Sequence, residues 1–519
     1  MGVSLAERVA QMVVVRASGY LFDHQIRYPA WEPPRDRLRY WLQELGVGGV
    51  IFVDGSAAEL AARTRLLQSW AKIPLLLAAD IEEGVGQRFA GATEFPPPMA
   101  LGAIAGRDPE MAERYAEQMG AVTAREALAI GLNWILAPVV DVNNNPDNPV
   151  INVRAFGETP ETVGRLAAAF IRGSHQYPVL TSAKHFPGHG DTAVDSHIEL
   201  PTIPHCPERL AAVELPPFQE AIAAGVDSVM GAHLLIPAWD ETLPATLSRE
   251  ILTQKLRQEL GFEGLIVTDA LVMGAIANRY SLAEASVLAV EAGADILLMP
   301  EDPEVTIKAV CEAVEAGRIS PERIQMSCDR IAYMKGKISP PATGQPFGLE
   351  DLSTPEANQT VESILRESVR VSAAVPLQLP PSPGREGWRN LVVVDDLLNC
   401  ALLGHHTPAI AIPEGLGFTL QLLDRHSHTL PGEDATFCPT LLQLFIRGNP
   451  FRGSAGLSEI ARTWFKKLLK TGELQALAIY GSPYTLEQFL PEIPSTLPYV
   501  FSYGQIPVAQ ATALELLFG

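Results

Sequence analysis

Eight apolar runs recur along the first 300 residues, most of them separated by stretches with helical periodicity. The runs are "MVVV" (12–15), "GGVIFV" (48–53), "PLLLAAD" (74–80), "NWILAPVVDV" (133–142), "PVLTSAKHF" (178–186), "DSVMGAHLLI" (227–236), "GLIVTDAL" (264–271) and "ADILLMP" (294–300). Their near-continuous apolar character predicts strands buried on both faces. Amphipathic helices are predicted over 56–72, 159–173 and 248–261, each opened by Ser or Thr, with Thr159-Pro160 giving a cap followed by proline. Strand-helix alternation means parallel crossovers, and eight units favour a (β/α)8 TIM-type barrel over a doubly wound sheet. Polar residues then fall at strand C-terminal ends, where a barrel places its site: Asp80, Asp141, Lys184-His185, His233 and Asp269. A helix-cap or turn role explains one or two of these, but poorly explains the whole ring.

The helical "SPERIQMSCDRIAYMKGKI" (320–338) ends the first pattern, and Pro/Gly-rich "SPPATGQPFGLEDLSTPE" (339–356) and "PLQLPPSPGREGW" (376–388) read as linkers. Beyond them "LVVVDD" (391–396), "LLQLFIRG" (441–448), "LQALAIYGSPY" (474–484) and "LPYVFSYG" (497–504) predict strands, with helices over 458–472 and at the C-terminus. The expected organisation is a barrel over 1–338, a linker region with a helix over 339–388, and a smaller α/β (αβα) sandwich of about five strands over 389–519.

Composition narrows the partner. The 519 residues are 47% hydrophobic and 19% charged, with a formal net charge of −21 and no basic run, which disfavours nucleic acid and favours a small molecule. Five scattered cysteines without a CxxC pair fit reduced, buried thiols rather than a disulfide framework. "MGVSLAERVAQMVVV" reads as an amphipathic helix running into a strand, with no basic region, apolar core or cleavage site of a signal peptide. No run approaches ~18 apolar residues. The expectation is a cytoplasmic protein, without membrane association, as monomer or homodimer.

"AKHFPGHGDTAVDSH" (183–197) concentrates the candidate chemistry. Its His185, His189 and His197 with Asp191 and Asp195 offer metal-ligand types, although Pro187 disrupts the spacing of a helical ligand pair. An ordinary polar loop is a second reading, since Gly, Asp, Ser and His are loop residues. The third is proton transfer. Asp195 and His197, two apart in an extended loop, project to one side, and such a pair donates and accepts protons near neutral pH. Asp269 at the end of the seventh strand, across the barrel mouth, could then act as a nucleophile or electrostatic stabiliser. Gly188 and Gly190 suit either a mobile loop or rigid tight turns.

Five motifs in order, "DIEEGVGQRF" (80–89), "PVINVRAFG" (149–157), "AKHFPGHGDTAVDSH", "SVMGAH" (228–233) and "VTDALVMGAI" (267–276), resemble glycoside hydrolase family 3, in its β-N-acetylhexosaminidase branch. The resemblance implies a barrel followed by an αβα sandwich, and retention of anomeric configuration through a covalent glycosyl-enzyme. It implies that Asp269 attacks the anomeric carbon, that His197 is acid and then base, and that Asp195 holds His197. Asp80, Arg88, Arg154, Lys184 and His185 match sugar-binding positions, while His189 and Asp191 shape the loop. No metal or other cofactor is implied.

Two positions depart from the branch, where Asp-x-Glu-Gly-Gly is usual: Glu83 replaces the first glycine and Gly86 a valine. The favoured reading points Glu83 to solvent; the other places it beside the sugar. In the second domain "ALAIYGSPYTLEQF" resembles the family's LGSPY strand-turn, with no catalytic residue carried over and a packing or dimerisation role expected. The expected activity is a retaining exo-β-N-acetylglucosaminidase acting on peptidoglycan-derived fragments in cell-wall recycling. Its rivals are phosphorolysis or β-glucosidase action within the family, a metal-dependent barrel hydrolase, and a non-catalytic sugar-binding protein.

Overall fold

The computed structural model describes residues 4–338, 347–379, 387–427, 437–447 and 459–519. Ser4 opens the chain's first helix, Leu5–Gln11, through a capping box with Glu7, and the helix runs directly into a strand, as the pattern predicts. Eight parallel strands follow: β1 (Val13–Ala17), β2 (Gly49–Phe52), β3 (Leu76–Ala79), β4 (Trp134–Ile135), β5 (Leu180–Phe186), β6 (Ser228–Gly231), β7 (Leu265–Thr268) and β8 (Leu297–Leu298). Each pairs with the next through β7, β8 pairs back onto β1, and a bridge between Val267 and Ile296 closes the ring. Every residue of β2, β3, β5, β6 and β7 is buried, which is why these strands read as unbroken apolar runs.

Helices wrap the ring. Ser56 and Thr159 cap helices Ala57–Trp70 and Pro160–Ser174 by accepting backbone N–H groups of Glu59 and Thr162. Two elements differ from their sequence patterns. The strand read over 133–142 is regular only at β4, because Pro138 has no N–H for the ladder; Val139 still bridges Lys184. The helix read over 248–261 is wound as a π-helix over Glu250–Glu259.

The second domain is an αβα sandwich around β9 (Arg370–Val371), β10 (Arg389–Val393), β11 (Thr419–Leu423), β12 (Thr440–Ile446), β13 (Leu474–Gly481) and β14 (Tyr499–Ser502). Its strand order is β9-β14-β13-β12-β10-β11, all parallel except β9 against β14. Alternation sorts the core: Leu391, Val393, Leu442 and Leu444 face helices Glu459–Thr471 and Pro483–Phe489 and join the barrel-side cluster. Val392, Val394, Leu441 and Phe445 face the other way, where helices Pro408–Gly415 and Pro507–Phe518 pack.

The sequence pattern had missed β11, an edge strand with exposed positions and no clean alternation, and the two-residue β9. Of the segments read as linkers, residues 339–346 and 380–386 lie outside the described residues, as do the predicted strand end at 448 and helix start at 458. All five cysteines are free, but none is fully buried and Cys206 is exposed, so the buried-thiol expectation does not hold. Among the described residues no helix is long and apolar enough to cross a membrane.

Glu126 ties the barrel to the connection. Buried on helix Pro109–Ala129, it accepts hydrogen bonds from Thr93 N (2.8 Å), Thr93 Oγ1 (2.6 Å) and Ser353 N (2.7 Å). Glu126→Leu orphans these donors at about 1–3 kcal/mol each. The expected result is a clearly lowered melting temperature in calorimetry, with Glu126→Gln, which keeps one acceptor oxygen, losing less.

Candidate active site

A cavity of about 500 Å3, in the size range of small-molecule sites, opens at the C-terminal ends of the barrel strands. Asp80 follows β3, Lys184 and His185 end β5, and Asp269 follows β7; these, with Arg88, Arg154 and His197, line it. Asp195 lies buried behind His197. The eight residues that the resemblance matches to catalytic or sugar-binding positions therefore gather at one place.

Four charges form the floor on one side. Lys184 Nζ lies 2.6 Å from both Asp80 Oδ1 and Glu82 Oε1. Arg154 grips Glu82 through two parallel bonds of 2.8 Å, and Arg88 Nε donates to the Asp80 carbonyl at 3.1 Å. Burial would raise the Glu82 carboxyl, yet Arg154 and Lys184 outweigh it and hold the group well below the usual carboxylate range. Burial likewise pulls the Lys184 ammonium down, and Asp80 and Glu82 more than restore it, so the lysine is charged.

Asp141, from the stretch after β4, organises the histidines. Its Oδ2 accepts His185 Nδ1–H at 2.7 Å, and its Oδ1 accepts the backbone N–H of His185 (3.1 Å) and of His189 (2.7 Å). His189 bonds Thr192 and Ser196 through its two ring nitrogens, both at 2.9 Å, and burial is the main force pushing its imidazole down to about 4. It braces the loop as a neutral ring. Asp191 bonds His205 at 2.8 Å on the outer side. Among the described residues no group of three His, Cys, Asp or Glu side chains is arranged to hold a metal ion.

The loop is pinned rather than loose. Gly190 packs so tightly on Val142 that a Cβ would sit 1.8 Å from its carbonyl oxygen, and Asn148 Nδ2 donates to the carbonyls of His189 and Gly190. Gly188 adopts φ +134°. The far end is fastened to the segment after β7, where Gly274 and Ala275 donate to the carbonyls of His197 and Ser196.

His197 Nδ1–H donates to Asp195 Oδ1 at 2.8 Å, so Nε2 is the nitrogen able to carry the exchanged proton. Asp269 Oδ1 accepts Ala270 N–H at 2.7 Å. Burial pushes its carboxyl up, but His233, His185, the Ala270 N–H and His197 together leave it lowered, favouring the anion. Buried His233 donates Nε2–H to the Ala270 carbonyl at 3.0 Å and shapes the turn that carries Asp269. An anion and a partly exposed histidine backed by a buried aspartate thus meet at one cavity, the equipment for nucleophilic attack combined with proton transfer.

The second domain supplies the opposite wall. Asp395 and Asp396 follow β10, Arg447 follows β12, and all three line the cavity. β10 and β12 flank the point where the strand order reverses, the crevice where open parallel sheets place ligands. Glu83 is not turned to solvent: it is buried and bonds Arg447 at 2.6 and 3.1 Å. Gly86 lies against the 92–94 segment, leaving no room for a valine: a Cβ would come within 2.5 Å of the Ala92 carbonyl. Tyr484 of the SPY turn bonds Glu158 (2.7 Å) and Asn143 (2.9 Å) of the barrel, a packing role. The "DD" ending an apolar run was the available signal for Asp395 and Asp396; for Arg447 none distinguished it from a surface arginine.

Comparison with known proteins gives a consistent picture. A model of the glycosyl hydrolase family 3 N terminal domain matches residues 4–334, and one of the bacterial glycosyl hydrolase family 3 C-terminal domain matches 383–519. Beta-hexosaminidase A of Pseudoalteromonas piscicida is 36% identical over 321 residues, 56% of this chain and 53% of that protein. The beta-N-acetylglucosaminidase/beta-glucosidase of Cellulomonas fimi is 31% identical over 69% of this chain and 64% of its own length. The chain thus spans about half to two thirds of these relatives. The structure of a glycoside hydrolase family 3 beta-N-acetylglucosaminidase from Paenibacillus sp. str. FPU-7 superposes with a TM-score of 0.81 at 31% identity, covering 100% of this chain and 97% of that one.

Glu94, half-buried beside the Glu83–Arg447 pair, has its carboxyl raised from 4.5 to about 7, chiefly by burial and then by Glu83, against the pull of Arg447. A raised carboxyl favours the protonated folded state, so its contribution to stability is complete below pH 4.5 and is lost as pH climbs to about 7. Melting temperatures across that window should fall less steeply in Glu94→Gln than in the unsubstituted protein.

Proposed function

Because the chain belongs to glycosyl hydrolase family 3, we propose that it is a retaining exo-β-N-acetylglucosaminidase. Its substrates are saccharides ending in non-reducing β-linked N-acetylglucosamine, with peptidoglycan-derived fragments as the natural class. The observation that carries this reading is the anionic Asp269 in one cavity with the Asp195–His197 pair. The likeness to the beta-hexosaminidase of P. piscicida and to the Paenibacillus beta-N-acetylglucosaminidase supports the substrate.

In the first step an Asp269 oxygen bonds to the anomeric carbon as the bond to the leaving oxygen breaks, and His197 Nε2 delivers a proton to that oxygen. The carboxylate beneath the ring stabilises the oxocarbenium-like charge. In the second step His197 takes a proton from water, the resulting hydroxide attacks the same carbon, and Asp269 leaves as carboxylate. Asp195 keeps the imidazole oriented through both steps. Asp80, Arg88, Arg154, Lys184 and His185 hold the sugar hydroxyls, the charged floor keeping each donor and acceptor in a fixed direction before the sugar arrives.

Hydrolysis of 4-nitrophenyl β-N-acetylglucosaminide, compared with the β-glucoside, tests this. The acetamido sugar should be preferred, and Asp269→Asn should lower kcat by at least about 10^3-fold. His197→Ala should cost about 10^2-fold or more on a disaccharide but less on the activated nitrophenyl leaving group. Phosphate should neither speed turnover nor divert product to sugar 1-phosphate. Preference for the plain glucoside, or a phosphate-dependent product, overturns the corresponding part.

A further inference from the structure

The acidic pair at Glu82-Glu83 divides its work. Glu82 turns inward to Lys184 and Arg154, whereas Glu83 turns toward the second domain. β3 and β7 stand four strands apart in a ring of eight, so they face each other across the barrel mouth. A pyranose lying across the mouth with its anomeric carbon at Asp269, after β7, would direct its C4 side toward Asp80, after β3. C1 and C4 are opposite corners of such a ring. Glu83, three residues beyond Asp80, also lines the cavity.

Glu83 does not stand there alone. Its carboxylate is clamped by Arg447 at 2.6 and 3.1 Å, and Glu94 adjoins the pair. All three side chains line the cavity. The backbone beneath them has little freedom: Phe95 N–H donates to the Glu83 carbonyl at 2.8 Å, and Gly84 at φ +84° has no room for a Cβ, which would meet the Thr93 carbonyl at 2.6 Å. An ion pair between residues 364 apart in sequence, one from each domain, thus forms part of the cavity wall.

We propose that the Glu83–Arg447 pair is an end stop, a specificity-determining wall built from both domains that admits one terminal sugar and rejects a substituent on its O4. The inference rests on reading the cavity as an exo-glycosidase site. A second sugar on O4 would have to displace a paired, largely desolvated carboxylate and guanidinium, whereas a free hydroxyl meets polar atoms at hydrogen-bonding range.

Two measurements test it. In calorimetry on the unsubstituted protein, N-acetylglucosamine should bind at least about tenfold more tightly than its 4-O-methyl ether. Equal affinities, or binding of neither sugar, overturn the stop without recourse to turnover. With 4-nitrophenyl β-chitobioside, the unsubstituted protein should release N-acetylglucosamine first and nitrophenol after a lag. Glu83→Gly/Arg447→Ala should release nitrophenol without a lag, together with intact chitobiose. A folded, active double variant that keeps the lag overturns the proposal. Should that variant not fold, the reversed pair Glu83→Arg/Arg447→Glu should keep the lag while Arg447→Ser shortens it, and a lag unchanged in Arg447→Ser has the same overturning force. Failure of the unsubstituted protein to cleave any nitrophenyl substrate would instead count against the exo-glycosidase reading, leaving the calorimetric comparison to judge the wall.

Discussion

The arrangement of the cavity depends on neutralising Lys184 within the barrel. An ammonium almost wholly removed from water is tolerable only when opposite charges touch it, and Asp80 and Glu82 do so at 2.6 Å each. Glu82 in turn needs Arg154, whose guanidinium meets it side-on, and Arg154 also fastens to the Val150 carbonyl. The network thereby joins β3, β5 and the segment around residue 150 into one rigid surface. Removing Glu82 takes from Arg154 the carboxylate it grips and from Lys184 one of the two that touch it, the kind of loss that costs about 3–5 kcal/mol in comparable buried pairs. The paired groups that tie the barrel mouth together are also ones that line the cavity.

Asp141 repeats this economy with hydrogen bonds. One carboxylate fixes the His185 ring and two backbone N–H groups, and the loop it anchors continues through Gly190 to Asp195 and His197. Because the loop is pressed on Val142 at one end and bonded to Gly274 and Ala275 at the other, the imidazole is set before any substrate enters. In the proposed reaction, little ordering of the imidazole would then remain to oppose proton transfer.

How much of this the sequence discloses depends on distance along the chain. The barrel strands are legible because burial on both faces leaves unbroken apolar runs, and the polar residues at their ends are legible because parallel topology puts them at one mouth. Asp195 and His197 are legible as neighbours. The β11 edge strand is not, since its exposed positions break any periodic pattern. Nor is the environment of Glu83: a glutamate beside another glutamate looks like a solvated pair, and only the folded chain brings Arg447 from the far domain to bury it. Long-range ion pairs leave no local periodicity to read, so this wall exists only in the folded chain.

The cavity is enclosed by two sheets whose parallel strands point their carboxyl ends at each other, one closed into a ring and the other open. Asp269 and His197 belong to the ring, and the facing boundary is drawn largely from loop residues that follow strands of the open sheet. Substitution, insertion or loss in those loops can accordingly redraw what fits without disturbing Asp269, His197 or the charges beneath them. With Asp269 and His197 in their proposed roles, the groups that react and the groups that bound the cavity from the far side sit on separate stretches of the chain, so one set can be changed by substitution while the other is left in place.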